Sequence, residues 1–252
     1  MIWQIALREL RSLFLSPLAW TLLAVIQFIL AWLFFAQIDT FFAFQSQLAV
    51  MDNAPGVTDL VVAPMLNSAS LVLLMITPLL TMRLLSEERR SGTLKLLLSS
   101  PVSMTEIVLG KYLGILLFYV ILVALLSLMP LSLELGTSLD TGKVLAALLG
   151  LILILAAFAS AGLFISSLTN NPSVAAIGAF GLLIMLWIID TAGGADKADQ
   201  AGTVFSYLSI IQHSLPFMRG IVDTQDISYY LLFIVTFILL SIRQMDSQRL
   251  QN

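Results

Sequence analysis

The sequence predicts an all-α integral membrane protein, and three observations point to that class. Hydrophobic residues make up 59% of the 252 residues and charged residues only 11%, whereas a soluble domain carries about 25% charged residues. The mean hydropathy is +1.00, so polar residues are too few to cover a water-soluble core. Long charge-free stretches recur along the chain, and a membrane-spanning helix needs about 20 apolar residues. The lipid bilayer is therefore the expected solvent.

Six crossings are expected from these charge-free stretches. The stretch at 144–189 is too long for one helix, and SLTNNPS at 167–173 divides it. Within that turn, Asn171 is suited to cap a new helix and Pro172 to occupy its first position. The predicted crossings are residues 17–38, 61–84, 111–133, 144–167, 172–189 and 227–243.

The N-terminal residues 2–14 predict a separate amphipathic helix that lies in the membrane interface. Its apolar side chains recur at helical spacing and are Trp3, Leu7, Leu10 and Phe14. Ser16 and Pro17 then start the first crossing. The alternative is that residues 2–14 extend this crossing into water. The apolar stretch that follows is too long for a signal peptide, so we expect it to be retained.

Basic residues divide unequally between the two sides that six crossings define. The side that holds both termini has nine: Arg8, Arg11, Arg83, Arg89, Arg90, Lys95, Lys111, Arg243 and Arg249. The other side has three: Lys143, Lys197 and Arg219. Because positive charge is retained on the cytoplasmic side, we predict that both termini are cytoplasmic.

The outer segment before the last crossing predicts a re-entrant structure at residues 203–222. This part is apolar but is broken by Pro216 and Gly220, and such backbone is tolerated where protein covers it. His213 is the sole histidine, and the chain has no cysteine. We therefore interpret His213 as a hydrogen-bonded structural residue rather than a catalytic or metal-binding one, and Asp226 as the cap of the last helix.

The stretch SEERRSGTLKLLLSSPVS at 86–103 concentrates charge in a chain that otherwise avoids it. It predicts a helix that ends at Gly92, a short amphipathic helix that ends at Pro101, and a capping box from Ser103 to Glu106 that starts the next helix. Lys111 follows and is expected at the level of the lipid headgroups. Two interpretations stay open from the residues alone: a protrusion that docks into another protein, or a loop whose arginines bind anionic lipid.

This stretch resembles the motif of the type-two ABC exporter permeases. The branch that it resembles contains the gliding-motility-associated permease and the permease of nitrous oxide reductase maturation. The matching residues are Glu87-Glu88, Arg89-Arg90, Gly92-Thr93-Leu94, Leu97-Leu98, Pro101-Val102 and Gly110-Lys111. A second match before the last helix comprises His213, Phe217, Arg219-Gly220, Asp223, Asp226 and Tyr229. Lys95 departs from the pattern, because relatives often carry an acid there.

The resemblance implies a membrane permease of a bacterial inner membrane that exports its substrate. Residues 2–14 would be its elbow helix and residues 203–222 the re-entrant pair that closes the outer end. Residues 86–101 would be the coupling helix, which sits in a groove of an ATP-binding subunit that holds ATP and Mg²⁺. A second permease copy or paralogue is expected beside it, and relatives also work with an accessory subunit that carries an outside domain. The implied coupling residues are Glu87, Glu88, Arg89, Arg90, Gly92, Thr93, Leu94, Lys95, Leu97, Leu98 and Pro101.

The sequence itself lacks the P-loop G-x-x-x-x-G-K-[ST], because Gly110-Lys111 is followed by Tyr112. We therefore expect a non-catalytic chain that binds no cofactor, and the absence of a broad basic face argues against a nucleic-acid partner. A secondary transporter is disfavoured because the apolar stretches contain no ionisable residue. A membrane scaffold or mechanotransmitting subunit of an ABC complex remains the alternative. Polar residues within the stretches do not identify a substrate; they are Gln27, Asn67, Ser70, Thr77, Thr81 and Ser160.

Overall fold

The protein is helical throughout the part described by the structure, a computed structural model that covers residues 1–48, 55–92, 103–194 and 209–249. Two short irregular turns precede α3 and α8, a π-helical turn at Thr58–Val62 and a 3₁₀ turn at Gln212–Ser214. The α-helices are α1 (Ile2–Leu15), α2 (Pro17–Leu48), α3 (Ala63–Thr81), α4 (Arg83–Arg90), α5 (Met104–Leu133), α6 (Thr141–Leu168), α7 (Pro172–Gly194), α8 (Leu215–Met218) and α9 (Thr224–Arg249).

Five helical segments of the described residues are long and apolar enough to cross a membrane. They are Pro17–Gln47, Thr58–Arg90, Met104–Leu133, Thr141–Leu168 and Thr224–Ser247. The remaining predicted crossing, 172–189, corresponds to a shorter apolar helix, Pro172–Ile188, at the start of α7.

Two helix starts were predictable from local chemistry, and the structure confirms both. The Ser103 hydroxyl accepts from the Glu106 N–H at 3.2 Å, and the Glu106 carboxylate accepts from the Ser103 N–H at 3.1 Å. The Asn171 side chain accepts from the Ser173 N–H at 3.1 Å, directly before Pro172, where α7 begins. Each cap satisfies a backbone donor that has no partner within its helix.

Two helices extend beyond the crossings that were predicted from the apolar stretches. The first crossing was placed at 17–38, whereas α2 continues to Leu48 through Asp39 and Thr40. The last was placed at 227–243, whereas α9 spans Thr224–Arg249. A charged residue ends an apolar stretch, but it does not end a helix, whose backbone bonds are made within the helix.

The core of the bundle is α6. Protein covers 72% of its apolar stretch, against 28% for α2 and for α9. Small side chains on α6 allow this close packing. The buried ones include Ala156, Ala157, Ala159, Ser160 and Ala161.

Two charged clusters mark the opposite ends of the bundle, which we name the Lys111 end and the Lys143 end. Lys143 lies near the start of α6, whereas Ser166, near its end, contacts α4. At 1.5 Å per residue, the two positions are about 35 Å apart. Contacts of α1 with α5 and of Arg89 with Met245 of α9 place both described termini at the Lys111 end.

Candidate functional site

The Lys111 end contains a buried ion cluster that joins three helices. The Lys111 ammonium lies 3.0 Å from a Glu9 carboxylate oxygen of α1 and 2.9 Å from a Glu88 oxygen of α4. Arg8 contacts the same Glu88 oxygen at 3.3 Å. Only 2% of the Lys111 side chain is exposed, and a buried charge is tolerated when it is paired. Lys111 therefore points into the bundle, toward two carboxylates that are distant in the sequence, and its predicted level at the lipid headgroups stays a prediction.

Two glycines of α5 allow α1 to reach this lysine. A Cβ atom at Gly110 would lie 2.7 Å from Cβ of Ile5, and one at Gly114 would lie 2.7 Å from Cβ of Glu9. Residues four apart share one face of a helix, so α1 packs directly on this glycine face. The spacing Gly-x-x-x-Gly in GKYLG is the sequence signal that could have revealed the contact.

The charged residues of α4 divide between two directions. Glu87 is 57% exposed and 3.9 Å from Arg83, and Arg90 is exposed as well. Glu88 faces Lys111, and an Arg89 guanidinium nitrogen lies 3.1 Å from the sulfur of Met245. The motif therefore combines an outward pair, available to a partner, with an inward pair that holds α4 to the bundle.

The turn after α4 is built on Gly92, whose φ of +72° lies in the left-handed region that favours glycine. The helix ends at Arg90, and Gly92 follows, as predicted. The other predicted coupling residues lie outside the described residues; these are Thr93, Leu94, Lys95, Leu97, Leu98 and Pro101.

An open cleft of about 700 Å³ lies beside the ion cluster, between α1 and the α3–α4 segment. Arg8, Arg83 and Glu87 form its charged wall, and Leu13 and Leu79 form part of its apolar wall. On this side α1 and α4 are separated by space, and the Arg8–Glu88–Lys111–Glu9 contacts connect them. A displacement of α4 would therefore be transmitted to α1 and α5 through these ion pairs.

At the Lys143 end, the segment before the last helix packs against α6. We name its described residues, 209–222, the α8 segment. A Cβ atom at Gly150 would lie 2.6 Å from Cβ of Phe217, and one at Gly220, whose φ is +81°, would lie 2.6 Å from Cγ of Lys143. Lys143 also pairs with Asp59 at 3.0 Å. The start of α6, the π-helical turn and the α8 segment therefore meet at one point.

His213 is hydrogen-bonded, as predicted. Its Nδ1 lies 2.6 Å from an Asp226 oxygen, and its ring stacks on Tyr229 with centroids 4.0 Å apart. The prediction that Asp226 caps the last helix was wrong: Asp226 is buried against His213, and Asp223 accepts from the Gln225 N–H at 3.0 Å. Arg219 is exposed.

The described helices connect the Lys111 end of the bundle with the Lys143 end. In the described part of the chain, no group of three or more His, Asp or Glu residues could hold a metal ion. The ion cluster joins α1, α4 and α5, and α6 extends from α4 to the α8 segment. Such an arrangement can carry a movement from one end of the bundle to the other.

A family model described as ABC-2 family transporter protein matches residues 3–234 of the chain. The match extends from α1 into α9 and includes both ends of the bundle. No curated protein matches the chain significantly.

Proposed function

The chain belongs to the ABC-2 transporter family and is a non-catalytic, multi-pass permease subunit of an ABC transporter, and from this premise we propose that residues 86–101 couple it to the ATP-binding subunit. The observation that carries the proposal is the division of charge on α4. Glu87 and Arg90 face outward, whereas Glu88 is tied through Lys111 to α1 and α5. A partner that moves the outward face would pull on three helices at once.

The proposed arrangement has six crossings, with α7 as the fifth and with both termini in the cytoplasm. Two observations support it: both described termini lie at the Lys111 end, and basic residues are concentrated there. In this arrangement α1 is the elbow helix, and its exposed Trp3 and Leu7 face the lipid interface. The Lys143 end faces outward, where the α8 segment closes the path.

The proposed complex contains an ATP-binding subunit that holds ATP and Mg²⁺, and a second permease copy or paralogue. Apolar side chains of α2 that face away from the bundle, among them Trp20, Phe28 and Trp32, are available to lipid or to that second copy. Export across a bacterial inner membrane, an accessory subunit and the narrower branch of the family are proposed from two matches alone, the motif at 87–111 and the one before the last helix.

Affinity purification tests the docking proposal. The tagged chain, extracted from its native membrane, should copurify with a Walker-motif ATPase. We expect the double variant Glu87→Lys plus Arg90→Glu to lose that subunit, because both outward charges are reversed, and Leu97→Asp to lose it as well. Glu88 and Arg89 are unsuitable targets, because their substitution disturbs internal contacts of the bundle.

The matched control reverses two exposed charges at the Lys143 end, Arg219→Glu plus Glu134→Lys. This variant should retain the ATPase, since it carries the same change far from α4. If no ATPase copurifies with the native chain, or if it stays bound to the Glu87/Arg90 and Leu97 variants, residues 86–101 do not dock it. Binding of anionic vesicles by residues 86–103 would then be the better interpretation.

A further inference from the structure

The joint between α3 and α4 is a one-residue break in one long helix, and Met82 within it keeps helical backbone angles (φ −55°, ψ −31°). α3 ends at Thr81 and α4 begins at Arg83, with Met82 between them. Pro78, one turn earlier, lacks a backbone N–H and crowds the preceding turn of the helix. This break lies where the charged segment meets the membrane-spanning part of the chain.

Ser166 of α6 inserts its hydroxyl into this break. Its Oγ accepts from the backbone N–H groups of Leu85 and Ser86, each at 3.1 Å, and donates to the carbonyl of Met82 at 3.0 Å. A serine hydroxyl has one donor and two acceptor positions, so all three are used. Ser166 is fully buried. A side chain that enters the backbone ladder of a helix is a known cause of kinks.

Gly162, one turn earlier on α6, brings the two helices together at this joint. A Cβ atom there would lie 2.7 Å from Cβ of Thr81, the last residue of α3. The neighbouring serine is different: Ser167 is equally buried, but its hydroxyl donates to Phe164 of its own helix at 2.6 Å. Of this adjacent serine pair, Ser166 is the one that binds the break.

We propose that Ser166 is a positioning residue for energy coupling, which sets the angle between α3 and α4 and links the movement of α4 to α6. The proposal rests on the proposed function for its driving force. At its other end, near its start, α6 contacts Phe217 through Gly150, and its Lys143 contacts Gly220. A single core helix therefore connects the ATPase-docking segment to the segment that closes the opposite end, over about 35 Å.

Hydrogen exchange tests the joint without any ATPase. In the Ser166→Ala variant, studied in a nanodisc, two backbone amides lose their hydrogen-bond acceptor. We expect the peptide that contains Leu85 and Ser86 to exchange about tenfold faster than in the native chain, the size of effect that one lost hydrogen bond gives. Ser167→Ala should exchange as the native chain does. Unchanged exchange in Ser166→Ala, or an equal increase in Ser167→Ala, overturns the proposal.

A second measurement tests the coupling in the complex with the ATP-binding subunit. ATP trapping should alter hydrogen exchange of residues 215–222 in the native complex and in Ser167→Ala, and this response should be lost in Ser166→Ala while the ATPase stays bound. If ATP trapping changes this exchange in Ser166→Ala as much as in the native complex, with the ATPase bound, Ser166 does not couple α4 to α6. The proposed function is not affected by that result. If no ATPase is found with the native chain, the proposed function is wrong, and so is the coupling. The exchange of Leu85 and Ser86 is independent of that result, because it tests only whether Ser166 binds the joint between α3 and α4.

Discussion

Replacing Lys111 with methionine should cost the bundle about 3–5 kcal/mol, the typical effect of removing one partner from a buried ion pair. Methionine fills similar space, but it leaves Glu9 and Glu88 facing each other without the ammonium that lies within 3.0 Å of both. For a domain of this size, we expect the midpoint of thermal unfolding to fall by about 10 °C. Tryptophan fluorescence of the chain in detergent or nanodiscs measures it.

Two variants serve as controls for Lys111. Lys143→Met removes a lysine from a pair whose side chains are 35% and 37% exposed, so its cost should stay below about 1 kcal/mol. Adding Glu9→Gln and Glu88→Gln to Lys111→Met should recover much of the lost stability, because the two carboxylate charges that lost the ammonium are removed. A Lys111→Met chain as stable as the native one would show that the cluster contributes nothing to the fold.

Gly162→Val should destabilise the contact between α3 and α6 by about 1–3 kcal/mol, the usual cost of overpacking a core. The added Cβ would lie 2.7 Å from Cβ of Thr81 and 2.9 Å from its Cγ2. Threonine is branched at Cβ and cannot move aside without the helix, so the two helices must separate. The expected result is a midpoint of thermal unfolding several degrees below that of the native chain.

Gly181→Val is the matched control, because a Cβ added at this glycine of α7 would meet no atom within 4 Å outside the adjacent residues and backbone of its own helix. Valine is a better helix former than glycine, so Gly181→Val should leave the midpoint unchanged or raise it slightly. Equal midpoints for Gly162→Val and Gly181→Val would mean that α3 and α6 adjust to the extra atoms, and that the close approach at Gly162 is not required.

The sequence was sufficient where the deciding interaction is local. The Ser103–Glu106 capping box and the Asn171-Pro172 start lie within four residues, so the groups that stabilise them are visible as short patterns. Composition was likewise sufficient for the class: a chain with so few charged residues requires a bilayer, and in lipid the helix satisfies its own backbone. The ends of the helices were less predictable. The length of an apolar stretch indicates which side chains face lipid or protein, but it does not indicate how far the backbone hydrogen bonds of the helix continue.

Only the tertiary structure decided which charges of the motif are exposed and which hold the bundle. Lys111 and Glu9 are 102 positions apart, and Ser86 and Ser166 are 80 apart, so no periodicity within one helix connects them. The sequence by itself determined a helical membrane protein with a charged stretch at 86–103. Helix packing brings such distant groups within bonding distance. The α1 helix approaches α5 closely at two glycines, and α6 approaches α3 closely at a third. These approaches determined where the charge of that stretch is buried.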